Sequence, residues 1–145
     1  MDDDIVSNIV QHKNEEGRRN NIEETNRTEF LAFLGILISI GANNDASLDY
    51  HDLWSGELGR SAHIAGMSRI RFRDLLWIIR FDDKSTREIR RQSDKFAPLR
   101  EIFQLINANF PKFYCAYKNT TIDEMLSLFR GNCRFRVFMK DKLGK

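Results

Sequence analysis

Asp123 and Glu124 are the residues best placed to do chemistry. They stand in the run Thr121-Ile122-Asp123-Glu124-Met125-Leu126, where β-branched residues open a strand-like segment that reaches Phe129. On a strand the two carboxylates point to opposite faces, Asp123 with Thr121 and Met125, Glu124 with Ile122 and Leu126. A carboxylate inside a strand calls for exposure, an ion pair or a metal. Two uses stay open: an oxygen ligand for a hard divalent cation, or an edge-strand acid paired with Arg130 or Arg134. Other chemistries lack their spacing. Cys115 and Cys133 stand alone, and His12, His51 and His63 have no Cys partner at zinc spacing. The sequence has no phosphate-binding glycine loop and no Gly-x-Ser-x-Gly elbow.

The second set of candidates is basic. Residues 1–66 carry 12 acids and 5 bases, a balance of −7; residues 67–145 carry 9 acids and 18 bases, a balance of +9. A basic half points to a polyanion partner, and DNA contact is expected through Arg69, Arg71, Arg73, Lys84, Arg87, Arg90, Arg91, Arg130, Arg134 and Arg136. The same residues could simply form solvated helix surface. An acidic half beside a basic half also permits self-association as a homodimer. No small-molecule substrate and no membrane partner are expected. The most apolar stretch, Phe30 to Ile40, is shorter than the roughly 20 residues of a membrane span. The Asp2-Asp3-Asp4 start is unlike a secretory signal, and two Cys fit a reduced compartment, so a soluble intracellular protein is expected.

These residues must be held by a chain of 145 residues, about one domain's worth. Residues 1–25 are polar and acidic and are expected to be a loose or marginally helical arm. Asn26 with Glu29 resembles a capping box, opening an apolar helix that ends near Gly41. Ser47 to Trp54 reads as a short helix, and Ser68 caps another from Arg69 to about Phe81. Asp82 to Lys95 reads as a surface loop. Pro98 opens a helix to about Asn109, stopped by Pro111. From Tyr114 the texture turns strand-like, with Arg130-Gly131-Asn132 as a turn before the alternating Arg134-Phe135-Arg136-Val137-Phe138. The expected fold is therefore mainly α, a small helical bundle over 26–113 followed by a terminal β-hairpin within 114–145. Its expected core is Phe30, Phe33, Leu34, Leu37, Leu53, Trp54, Phe72, Leu76, Ile79, Leu99, Ile102, Phe103 and Ile106.

The run from Asn119 to Phe138 resembles the piggyBac-type transposases, whose hallmark here is an "IDE" strand, then "FRG", then an aromatic-basic strand. Met67-Ser68-Arg69-Ile70-Arg71-Phe72 resembles the family's "MSRxRF" helix start. The blocks Arg80 to Arg100, Asp52 to Gly56 and Glu29 to Ile38 are similar to others of the group, so the resemblance runs from about Glu24 onward. It implies an all-helical dimerisation and DNA-binding region ahead of an RNase H-like catalytic domain. It also implies three Asp that hold two Mg2+ ions and cut and join DNA at TTAA sites, with Asp123 as the first of the three. Two such ions would activate the attacking oxygen and stabilise the leaving one. The second and third Asp have no counterpart in this sequence, and Lys140 and Leu143 replace the prolines of a "PNKPxK"-like stretch. The chain thus reads as an N-terminal transposase fragment with a truncated RNase H-like part. Asp123 is a remnant, a metal ligand only if the rest of the triad is supplied. At most DNA binding is retained, with nuclear placement implied by the resemblance. The alternative is a non-catalytic domesticated interaction or dimerisation module, or a relic without function.

Overall fold

The computed structural model describes residues 2–57 and 59–121. Helix α1 is Asp3–Arg19, α2 is Arg27–Ala42, α3 is Tyr50–Leu53, α4 is Ser61–Gly66, α5 is Arg69–Ile78, α6 is Arg87–Ser93 and α7 is Ala97–Phe113, with a 3-10 turn at Asp45–Ser47. Every regular element among the described residues is helical. The expected combination of bundle and terminal β-hairpin is corrected accordingly: no strand occurs among the described residues, and Tyr114 to Thr121 is exposed, irregular chain. Thr120 and Thr121, which were to open the first strand, belong to that irregular chain, and the rest of the expected hairpin lies outside the described residues.

The largest departure is at the N-terminus. The segment expected to be a loose arm is the 17-residue helix α1, and it packs on α2, α5 and α7. Its buried positions are Ile5, Val6, Ile9, Lys13, Glu16 and Gly17, one stripe at helical spacing. Apolar side chains fill only the first half of that stripe. Charged residues complete it, so the hydropathy pattern stops at Val10 while the burial continues. Asp3 and Asp4 in the first turn and Arg18 and Arg19 in the last suit the helix dipole. The helix stops where Asn20 and Ile22 both donate their N–H to the Gly17 carbonyl and Asn21 takes φ 54°. Asparagine tolerates that left-handed conformation better than most residues. Gly17 allows a close approach: a Cβ there would lie 3.2 Å from the Ile22 carbonyl oxygen and 3.3 Å from Ile78 Cδ1 of α5, tight enough that a neighbour would have to shift.

Helix α2 starts as expected. The Asn26 side chain accepts from the Glu29 N–H at 2.9 Å. The reciprocal half of the capping box is absent, because the Glu29 carboxylate is held by Arg71. Phe30, Phe33, Ile36 and Ile40 are buried. Phe33 and Trp54 both pack on Phe72, with ring centroids 5.3 and 4.9 Å away. His63 of α4, fully buried, lies against Trp54 at 5.6 Å, with Nε2 3.1 Å from Ser39 Oγ of α2. The Trp54 indole donates to the Met67 carbonyl at 2.8 Å, satisfying the one polar atom of the ring.

Of the expected core, Phe30, Phe33, Leu53, Phe72 and Ile102 are buried, and Leu34, Leu37, Trp54, Leu76, Ile79 and Leu99 pack against it half-buried. Phe103 and Ile106 are instead exposed at 46% and 40%. The reason is that α7 turns Leu99, Ile102 and Leu105 to the core, leaving the adjacent apolar stripe outside. Other boundaries shift locally. The expected Ser47–Trp54 helix is split by the extended Leu48 and Asp49. Helix α7 runs through Pro111, whose missing N–H matters little in a solvent-exposed last turn. The expected loop over 82–95 contains α6, which buries no residue of its own and is held by ion pairs described below.

Candidate nucleic-acid interface

Helix α5 organises the basic residues. The Ser68 side chain accepts from the Arg71 N–H at 3.2 Å and sets the first turn. Phe72, Leu75 and Ile78 then face the core, which turns Arg69, Ile70, Arg73 and Trp77 to solvent. Arg69 is exposed. Arg73 is 63% exposed and, among the described residues, bonds to its neighbour Asp74 at 3.0 Å.

Arg71 points the other way and is consumed by the fold. It grips the Glu29 carboxylate with Nε at 2.6 Å and a terminal nitrogen at 2.7 Å. Its remaining donors go to the Glu23 carbonyl, the Glu24 carbonyl and Thr25 Oγ1, at 2.9, 3.0 and 3.0 Å. This bidentate pair holds Glu29 below the usual carboxylate range, against a smaller upward push from burial. Arg71 thus staples α5 to the connection between α1 and α2.

Arg87 and Arg90 are likewise internal. Asp82 is 2% exposed, and Arg87 donates to both of its oxygens, from Nε at 3.1 and 3.2 Å. Arg90 reaches Asp82 at 2.7 Å, the Asp83 carbonyl at 2.8 Å and the Ala97 carbonyl at 3.1 Å. Two guanidinium groups around one buried acid tie the 82–86 turn to α6 and the start of α7. Arg91 is half-buried and lies 3.5 Å from Glu88.

Lys84 belongs to a third cluster. Glu16 of α1 has a side chain 4% exposed and receives Lys84 at 2.7 Å, Arg80 at 3.1 Å and Arg19 at 3.2 Å. Burial alone would push its pKa up. The bonds from Lys84 and Arg19, with the charges of Arg80 and Lys84, outweigh this and hold it at about 2.

Lys13, one turn earlier, is fully buried and donates to Thr25 Oγ1. Burial pushes its ammonium down to about 8 from an ordinary 10.5; Arg71 adds to the effect and Glu29 opposes it. Because the folded value is the lower one, the unfolded chain holds the extra proton between those two pH values. Stability is therefore expected to rise with pH across that window. Lys13→Met should flatten the rise, read by urea denaturation at several pH values from about 8 to about 10.5. Equal slopes in the two proteins would show that Lys13 does not titrate as a buried group.

Asp123, Arg130, Arg134 and Arg136 lie outside the described residues. Among the described residues no group of three His, Cys, Asp or Glu side chains could hold a metal ion. The described part therefore does not fit a pair of divalent cations. No helix there is long and apolar enough to cross a membrane. A feature the sequence reading did not single out is an open groove of about 510 Å³ lined by Tyr50, Arg73, Asp74, Leu76 and Trp77. Trp77 stands within an apolar run, yet it is 63% exposed. Only its i, i+4 relation to Arg73 hinted at the outer face.

The family model described as Transposase IS4 matches residues 1–145. A solved structure, the piggyBac transposase synaptic complex with hairpin DNA, is similar over 97% of this chain, with 34% identity and a TM-score of 0.87. The chain belongs to the piggyBac-type transposase family. It spans 31% of that piggyBac transposase chain. A comparison with curated proteins found no match. For this piggyBac-type chain, the likeness extends over α1 to α7, so the correction at the N-terminus concerns a part that the family fold shares.

Proposed function

We propose that this chain is a DNA-contacting part of a piggyBac-like DDE transposase and does not cut or join DNA by itself. The observation that carries the reading is the fold likeness over 97% of the chain to a transposase in complex with hairpin DNA. The basic residues support it in a narrower form than the sequence suggests. Arg69 is exposed on α5, with Arg73 beside it 63% exposed and bonded to its sequence neighbour Asp74, whereas Arg71, Lys84, Arg87 and Arg90 hold acids from other parts of the fold. Phosphate contacts therefore come chiefly from the outer face of α5.

Such contacts are electrostatic. Binding of a labelled duplex should weaken with salt, the logarithm of the affinity falling with a slope of about −0.9 for each phosphate engaged. A flat salt response would contradict the reading. Catalysis needs two ions held by carboxylates from several positions. Asp123 supplies one, and Mg2+ belongs to the complete family enzyme. The purified chain is accordingly expected to give no Mg2+-dependent strand transfer on a TTAA-containing plasmid; a joined product would refute that part. Nuclear placement is part of the same proposal and is supported by the family resemblance alone.

A second reading, pairing with another copy of the chain, is favoured by one feature. Phe103, Ile106, Phe110 and Phe113 form an exposed stripe on α7, with Phe110 60% and Phe113 86% exposed. Their i, i+3, i+7, i+10 spacing is that of a seam between two helices. Sedimentation equilibrium decides it: a species of twice 17.1 kDa that dissociates on Phe110→Glu supports the pairing, and a monomer throughout rejects it.

A further inference from the structure

We infer that the groove between α3 and α5 takes an unpaired nucleobase of DNA, stacked on Trp77. The inference rests on the DNA-contacting reading above and adds which part of the nucleic acid this face receives. Three observations carry it. The first is the exposed indole. Trp77 is 63% exposed on α5, one turn beyond Arg73 and two turns beyond Arg69 and Ile70. A ring that large gains little from standing in water, and its flat face is a stacking platform for any base.

The second is the size and lining of the groove. Its volume of about 510 Å³ is within the range of sites for small ligands. Tyr50 forms part of the lining, and its ring meets the buried Phe72 edge-on at 6.2 Å. Leu76 supplies further apolar lining, half-buried against the core. The groove thus has aromatic and aliphatic surfaces held by the hydrophobic core, which is what a flat heterocycle needs.

The third is the charge pattern. Arg73 and Asp74 line the groove together and are bonded to each other through Asp74 Oδ1, at 3.3 and 3.0 Å. A phosphate placed there would face the carboxylate as well as the guanidinium. An edge that offers acceptor oxygen beside N–H donors matches instead the mixed edge of a base. Arg69, one turn away and exposed, is left for the phosphate that follows the base. In a duplex the same base is stacked and paired and cannot enter, so the groove distinguishes single-stranded from double-stranded DNA.

The test compares a single-stranded oligonucleotide of mixed sequence with the duplex of the same length, both fluorescently labelled, by anisotropy. Trp77→Ala is expected to weaken single-strand binding by roughly ten- to a hundredfold and duplex binding by less than about twofold, while Trp77→Phe restores most of the loss. The exposed position makes either variant safe for folding, which the unchanged melting temperature will show. In a Trp54→Phe background the remaining Trp77 emission should be quenched by the single strand and not by the duplex. If Trp77→Ala leaves single-strand affinity unchanged while both forms bind, the base site is refuted and the DNA reading stands. If Asp74→Asn tightens both forms equally and Trp77→Ala is silent, the groove is a phosphate site and the proposal fails. If neither form binds, the proposal and the DNA-contacting reading fall together.

Discussion

Deleting residues 1–19 is expected to abolish cooperative unfolding of the remaining chain. Helix α1 is the element against which α2, α5 and α7 all rest. It buries Ile5 at 4%, Val6 at 0% and Ile9 at 5% exposure. At about 2 kcal/mol for each buried aliphatic side chain, these three alone contribute about 6 kcal/mol. That is comparable with the whole stability of a domain, about 5–15 kcal/mol. The deletion also exposes the facing surfaces of three helices and strands the cations that Glu16 now collects. The shortened chain should retain helical signal by circular dichroism but melt broadly, without a sigmoidal transition. A sharp melt within a few degrees of the full chain would mean that α1 is an appendage after all.

Glu16→Ala should have the largest effect of any single charged substitution. The carboxylate is 4% exposed and receives three cations from two parts of the chain. Removing one member of a buried ion pair costs about 3–5 kcal/mol when the partner stays buried. Lys84 and Arg19 are roughly half exposed and can return to water, so the expected loss is about 2–3 kcal/mol. For a chain of this size that lowers the melting temperature by about 10 °C. The pH dependence follows from the direction of the shift. The folded pKa of about 2 lies below the ordinary 4.5, so the stabilisation is complete above 4.5 and is lost as pH falls towards 2. Glu16→Gln keeps the shape and should remove most of this acid sensitivity. A Glu16→Gln protein with the same acid profile as the unchanged chain would show that Glu16 is not the group responsible.

These two expectations mark where the sequence was legible and where it was not. The caps at Asn26 and Ser68 were readable because a single side chain and one backbone N–H decide them. The aromatic core around Phe30, Phe33 and Phe72 was readable because Phe30 and Phe33 lie in a strongly apolar run and Phe72 shares a helical stripe with Leu75, Leu76 and Ile79. Helix α1 was hidden because Lys13 and Glu16 occupy core positions, and all their partners but Arg19, namely Thr25, Arg80 and Lys84, come from elsewhere in the chain. The α6 helix was hidden for the same reason, since Asp82, Arg87 and Arg90 look like loop charges until they are seen around one buried carboxylate. The interface suffered most from this. Charge counting treats Arg69 and Arg71 alike, and only the helical phase relative to Glu29 sends one outward and the other into the fold. Helix α7 misled in the opposite sense: its apolar residues fill two adjacent stripes, and periodicity alone cannot tell which stripe the core takes.

The basic residues divide into those that hold the fold and those proposed to meet DNA. A salt titration of duplex binding, with Arg69→Ala and Arg71→Ala measured beside the unchanged chain and each melted in parallel, tests that division most directly. Arg69→Ala is expected to keep the melting temperature and to make the salt slope shallower by about 0.9, the value of one lost phosphate contact. Arg71→Ala should lower the melting temperature by several degrees, through the unpaired Glu29 and the released Glu23 and Glu24 carbonyls, and leave the slope of the folded protein unchanged. A stable Arg71→Ala protein with a reduced slope, or an Arg69→Ala protein whose binding is indistinguishable from the unchanged chain, would contradict the account.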